Sequence, residues 1–109
     1  EPSLGHDTPC FVIDYPSDQA ALAKTNFDKQ GNNIAKRFEL FINGIELANG
    51  YEELTESSEY LERFKQQNNL REKMGLDARE IDEAFINALE KKIPYCSGVA
   101  IGLDRLLVL

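Results

Sequence analysis

The chain has one histidine, one methionine, two cysteines and no tryptophan. With a single histidine and no CxxC pair, a zinc centre has no ligand set and a Ser–His–Asp relay is poorly supported. His6 lies in a polar stretch and reads as a solvated surface residue. Cys10 and Cys96 stand far apart in a sequence with no visible secretory signal, and they read as free thiols. No run of 18 apolar residues occurs, which excludes a transmembrane helix. Basic residues are also scarce, with 12 Lys and Arg against 19 Asp and Glu and a net charge of −7. That balance argues against a surface for a nucleic-acid backbone and against an acidic substrate. A cationic substrate or a metal ion fits it better. The GxxxxGK[ST] phosphate loop is absent.

What is present suits one small globular unit of 109 residues, 42% hydrophobic and 28% charged. The sequence does not begin with Met, and it stops on the apolar run Leu106-Leu107-Val108-Leu109 without a polar tail. It therefore reads as a fragment cut within an element. Residues 10–14 form an apolar run that predicts a buried strand ending at Tyr15-Pro16. Residues 36–42 alternate, with Phe38, Leu40 and Ile42 on one face and Arg37, Glu39 and Phe41 on the other. Asn43-Gly44 is a strong hairpin signal, and residues 45–54 read as the return strand. Ser57 or Ser58 can cap a helix that runs to about Met74 and stops at Gly75. Asp77 to Glu80 resembles a capping box for a second helix carrying Ile81, Phe85, Ala88 and Leu89, ended by Pro94. The segment from Ser97 begins as a strand and turns helical after Gly102. The expected class is α+β, a partly antiparallel sheet with flanking helices.

Two segments carry chemistry. In the return strand, Glu46 is framed by Ile45 and Leu47, and Glu53 follows seven residues later. An odd spacing places two residues on opposite faces of a regular strand. A bulge at Asn49-Gly50 would bring both carboxylates to one face. Such a pair can hold Mg²⁺ or an ammonium group; alternatively, both acids are solvated. In the last segment, Gly98 and Gly102 permit close backbone approach, and Asp104 can cap the helix. Arg105 then falls in a first helical turn, which the dipole disfavours for a cation. It has either an anionic partner such as phosphate or a neighbouring acid.

Gly-Val-Ala-Ile-Gly-Leu-Asp-Arg-Leu at 98–106 resembles motif 3 of class II aminoacyl-tRNA synthetases. Arg-Phe-Glu-Leu-Phe-Ile-Asn-Gly-Ile-Glu-Leu-Ala-Asn-Gly-Tyr-Glu-Glu-Leu at 37–54 resembles the segment before motif 3 in lysyl-tRNA synthetases. The resemblance covers nearly the whole chain. It is nearest to the shortened paralogues that attach a β-lysine to a lysine of elongation factor P. Tyr-Pro-Ser-Asp-Gln-Ala-Ala-Leu-Ala at 15–23, Glu-Leu-Thr-Glu at 53–56 and Cys-Ser-Gly-Val-Ala at 96–100 carry that preference. Lysyl-tRNA synthetases usually have Gly where this chain has Ala100.

The resemblance implies the C-terminal part of a class II catalytic domain, spanning residues 1–109, with motif 3 but without motifs 1 and 2. Such a piece would be inactive alone and belong to a cytoplasmic homodimer. It implies that Glu46 and Leu47 lie at ATP, with Glu46 reaching Mg²⁺. Glu53 would meet the amino acid and the same metal. Asn49 and Ala100 would line the amino-acid site, Gly102 would let the backbone approach ATP, and Arg105 would meet the terminal phosphate. The implied activity is ATP-dependent activation of lysine or β-lysine and its transfer to elongation factor P. The alternatives are a lysyl-tRNA synthetase fragment charging tRNA-Lys and a non-catalytic regulatory module.

Overall fold

A computed structural model describes residues 1–109 as two compact units. The first comprises Glu1–Glu53 and Cys96–Leu109, and the second Leu54–Tyr95. No helix is long and apolar enough to cross a membrane.

The first unit is built on a five-stranded sheet: β1 (Cys10–Pro16), β2 (Thr25–Phe27), β3 (Asn33–Ile42), β4 (Ile45–Glu52) and β5 (Ser97–Ile101). The order is β1-β3-β4-β5, with β2 also paired to β3, and every pairing is antiparallel. The expected α+β class with an antiparallel sheet is thus what the chain forms. The β3–β4 hairpin closes at Asn43 and Gly44, with φ of 50° and 74°. Both central residues of a type I′ turn need positive φ, which Asn and Gly tolerate best. Leu4 and Gly5 lie against this turn, their carbonyls accepting from the Gly44 and Asn43 amides at 2.8 Å.

Cross-strand pairing sorts the side chains into two faces. Tyr15, Ala35, Arg37, Glu39, Phe41, Asn49, Tyr51, Gly98 and Ala100 share one face through the pairs Tyr15↔Ala35, Arg37↔Tyr51, Glu39↔Asn49, Asn49↔Ala100 and Tyr51↔Gly98. Phe11, Ile13, Phe38, Leu40, Val99 and Ile101 share the other. The buried set of this unit, Ala20, Ala23, Ala35, Phe41, Leu47 and Ala48, includes one charged residue, Glu39. The apolar face stands largely open, with Phe11, Ile13, Val99 and Ile101 all more than half exposed.

The short helix α3 (Leu103–Val108) follows β5 directly, with Gly102 as its N-cap and no side-chain cap bond. Asp104 was expected to cap it. Instead Asp104 lies inside the first turn, and the N-cap is Gly102, whose amide donates to the Leu47 carbonyl at 2.9 Å.

The second unit is a pair of helices, α1 (Ser57–Lys73) and α2 (Glu83–Glu90), around buried Leu54, Tyr60, Ile86 and Leu89. Tyr60 stacks between Phe64 and Phe85, at centroid distances of 4.9 and 4.8 Å. Apart from exposed Leu70, the remaining surface of α1 is largely polar and is supported by pairs such as Arg63–Glu59 at 2.8 Å. Its N-cap is Glu56, so neither Ser57 nor Ser58 caps it. Gly75 ends it as expected: its φ is 76°, its amide bonds the Glu72 carbonyl, and the Leu76 amide bonds that of Arg71. That double bond is the Schellman arrangement.

The second helix starts later than the sequence suggested. Asn68 takes both backbone groups of Arg79, accepting from its amide at 2.9 Å and donating to its carbonyl at 3.0 Å. Arg71 Nε holds the Asp77 carbonyl at 2.8 Å. Residues 77–80 are thereby clasped as a loop and cannot form a capping box. Asp82 supplies the cap, its carboxylate accepting from the Phe85 amide at 3.1 Å.

Candidate functional site

Strand β4 decides which side chains meet. The β3–β4 register runs Leu40↔Ala48 and then Phe41↔Glu46, so Leu47 is an extra residue on β4. The bulge thus lies at Leu47, not at Asn49-Gly50 as the sequence suggested. Both Asn49 and Gly50 are regularly paired on each side, and the ring of Phe38 lies over Gly50. A Cβ at Gly50 would come within 2.6 Å of that ring and 2.8 Å of the Gly98 carbonyl. The parity effect is the same as for the expected bulge. Glu46, paired with Phe41, faces the side to which Asn49 points, and by alternation so does Glu53.

One face, however, is not one site. At about 3.3 Å per residue, the extended strand separates Glu46 from Glu53 by roughly 20 Å. A Mg²⁺ ion binds oxygens at about 2.1 Å, so one ion cannot be shared by these two carboxylates. The expected joint metal site is corrected on this ground. No group of three or more His, Cys, Asp or Glu side chains is placed to hold a metal.

Glu53 belongs to a cleft of about 310 Å³ lined by Asn49, Tyr51, Glu53, Gly98, Val99 and Ala100. Its backbone is fixed on both sides, by a bridge to Ala23 and by its amide donating to the Cys96 carbonyl at 2.9 Å. Its carboxylate lies over Gly98, where any side chain would collide with Oε1. Ala100, directly opposite Asn49, is exposed on the cleft floor. Three of the expected substrate residues, Glu53, Asn49 and Ala100, thus come together.

Glu46, Leu47, Gly102 and Arg105 form a second group at the other end of β4. Arg105 Nη1 donates to the Glu46 carbonyl at 2.6 Å, and its stem lies over Gly102. Arg105 pairs with no acid, and the rest of its guanidinium faces solvent. With the Gly102 amide held by Leu47, the glycine makes room for the Arg105 stem, since a Cβ there would lie 3.1 Å from its Cδ.

Beside the first group, on the same face of the sheet, lies a charged cluster that the sequence did not single out as functional. Buried Glu39 is ion-paired with Arg37 Nη2. Arg37 Nη1 donates to the Gln19 carbonyl at 2.8 Å and Nε to Asn49 Oδ1 at 3.2 Å. Its guanidinium lies 4.7 Å from the centre of the Tyr15 ring. The phenol of Tyr15 is pushed up to about 12, first by burial, then by its hydrogen bond to Glu39 and the charge of that carboxylate. The signal was an Arg and a Glu two apart on an alternating strand, which must share a face.

That cluster gives a pH dependence. The folded chain favours the neutral phenol, so the unfolded chain releases its proton first, near 10.0. Tyr15's contribution to stability is therefore whole below pH 10 and is lost as pH rises through about 12. The advantage of wild type over Tyr15→Phe in urea unfolding is expected to shrink across that window. A constant difference between the two proteins would dismiss the linkage.

A family profile described as tRNA synthetases class II (D, K and N) matches residues 3–109. Among curated relatives, a protein of Hamiltonella defensa subsp. Acyrthosiphon pisum (strain 5AT) is 50% identical over all of this chain and 33% of its own length. Relatives from Vibrio parahaemolyticus and Pasteurella multocida are 50% and 46% identical over the same shares. All three are named Elongation factor P--(R)-beta-lysine ligase. The chain spans about a third of the length of these relatives.

Proposed function

This chain belongs to the class II tRNA synthetase family, and from that premise we propose that its whole protein is a ligase for β-lysine. It activates the amino acid with ATP and passes it to a lysine of elongation factor P, the acceptor in its relatives' names. The observation that carries this reading is the cleft of Glu53, Asn49, Tyr51 and Ala100, where a carboxylate on a pinned stretch of backbone lies over a small-residue floor. A carboxylate there suits an amine of the substrate, and it agrees with the acidic balance of the chain.

Activation would proceed by attack of the amino-acid carboxylate on the α-phosphate, with pyrophosphate leaving. Such a step depends on positioning and charge stabilisation, not on a side-chain base. Glu53 and Asn49 would orient the amino acid. Arg105 would offer its free guanidinium edge to the terminal phosphate, while Glu46 and Leu47 would lie along the nucleotide. Mg²⁺, which is commonly held by one or two carboxylates plus substrate phosphates, would neutralise developing negative charge. The donor set fits it at Glu46, with Glu39 as diagonal neighbour on the same face, and not at Glu53. Motifs 1 and 2, the homodimer contact and a cytoplasmic setting belong to the same proposal for the whole protein.

The test is pyrophosphate exchange by the whole protein with α-lysine and β-lysine. Exchange that prefers β-lysine is expected, and exchange with neither isomer would overturn the reading. In the same assay, Ala100→Gly is expected to move preference toward α-lysine. One methyl group at a pocket wall is worth about 1–3 kcal/mol, or roughly 5- to 150-fold. An unchanged ratio would remove Ala100 from specificity.

A further inference from the structure

Asn49 lies on the cleft wall with its Oδ1 turned toward Arg37 Nε at 3.2 Å. An arginine side chain has donors only, so the amide cannot be flipped without placing NH₂ against N–H. The carbonyl end is therefore fixed inward. Nδ2, the only donor of this side chain, is left without a protein partner and serves the cleft.

Arg37 is itself held in place. Nη2 is paired with buried Glu39, Nη1 with the Gln19 carbonyl, and the guanidinium lies over Tyr15. Its side chain is 15% exposed and that of Glu39 is 8% exposed. A planar fork with several separately aimed donors can do this; an ammonium on a flexible stem cannot.

We infer that Arg37 is a positioning residue: it fixes the amide of Asn49 so that Nδ2 donates to an oxygen of the amino-acid substrate. The inference rests on the proposed function for the identity of that substrate. It assigns Arg37 no contact with substrate. Arg37 and Asn49 consequently act as one unit, and removing either should remove the same interaction.

The experiment uses the whole protein, with Arg37→Lys, Asn49→Ala and the double variant measured by pyrophosphate exchange. Each single variant is expected to raise KM for β-lysine by about tenfold, the effect of losing one hydrogen bond to a charged group, with KM for ATP nearly unchanged. The double variant should be no worse than the worse single one. Multiplying effects, or equal rises in both KM values, would overturn the inference. Asn49→Asp guards against a misfolded Arg37→Lys protein, since it keeps the acceptor for Arg37 and loses the donor. It should fold and show at least the same rise, and normal β-lysine binding by it would also overturn the inference.

The amide orientation is read without substrate from the ¹⁵N–¹H signals of the Asn49 side chain, which Arg37→Lys should shift or average. Unaltered signals would sink the role of Arg37 even if exchange activity stands. If the wild type activates no lysine isomer, the functional reading fails, while these signals still decide the role of Arg37.

Discussion

Glu53→Gln in the whole protein is expected to lower kcat/KM for β-lysine by about a hundredfold or more. Removing one member of a desolvated charge pair typically costs 2–5 kcal/mol, much of it from stranding the other charge. Here the stranded group would be an amine of the substrate. The structure gives the carboxylate little freedom to be replaced by a neighbour. Its strand position is pinned by Ala23 and by the Cys96 carbonyl, and its head lies over the bare backbone of Gly98. Glutamine keeps this shape and removes only the charge, so the loss should appear in KM for the amino acid while KM for ATP holds. Near-normal use of β-lysine by this variant would make Glu53 an acid of the strand end and not a substrate residue.

Arg105→Lys is expected to be nearly as damaging, and in the other substrate. Charge-assisted hydrogen bonds are worth about 1.5–3 kcal/mol, which predicts roughly a 10- to 100-fold loss in ATP use. Arg105 spends Nη1 on the Glu46 carbonyl and keeps its remaining donors toward solvent. The guanidinium thus ties α3 to β4, and under the proposed function its remaining donors would meet phosphate. A lysine is a point charge and cannot do both. The variant should remain folded, because the pairing of β4 with β5 and the Gly102–Leu47 bond do not depend on it. Unchanged ATP kinetics, or simple unfolding, would give Arg105 a structural role alone.

Much of this arrangement was legible in the sequence, and the reasons differ by element. The hairpin could be read because Asn43-Gly44 satisfies a local backbone demand that few other pairs meet. The end of α1 could be read for the same reason at Gly75. The start of α2 could not, because Asn68 and Arg71 reach across from α1 to hold residues 77–79. No local pattern encodes that tether. The grouping of Asn49, Glu53 and Ala100 could be anticipated from the resemblance to a synthetase motif, not from strand parity, because a bulge at Asn49-Gly50 would have turned Asn49 away from Glu53. The position of the bulge is not legible, because Asn49-Gly50 has the turn-forming residues whereas the extra residue is an ordinary buried leucine, Leu47. Arg37 and Glu39 were visible as a face, but only the fold shows that Arg37 reaches an amide on the next strand.

The bulge at Leu47 also bears on which changes this site can survive. A strand behaves like a two-letter phase, and β4 carries both phases in one stretch. Were Leu47 paired regularly and not bulged, Glu46 would share its side with Ala48, Gly50 and Glu52 in place of Asn49, Tyr51 and Glu53. That second set is almost bare of functional groups. Exchanging one side chain for another disturbs a single partner. Flattening the bulge with every residue kept would present the blank set to the cleft all at once, whereas losing Leu47 along with the bulge would leave both sets where they are. In β4 the backbone kink at Leu47, and not the count of residues, therefore decides which set of side chains the cleft receives.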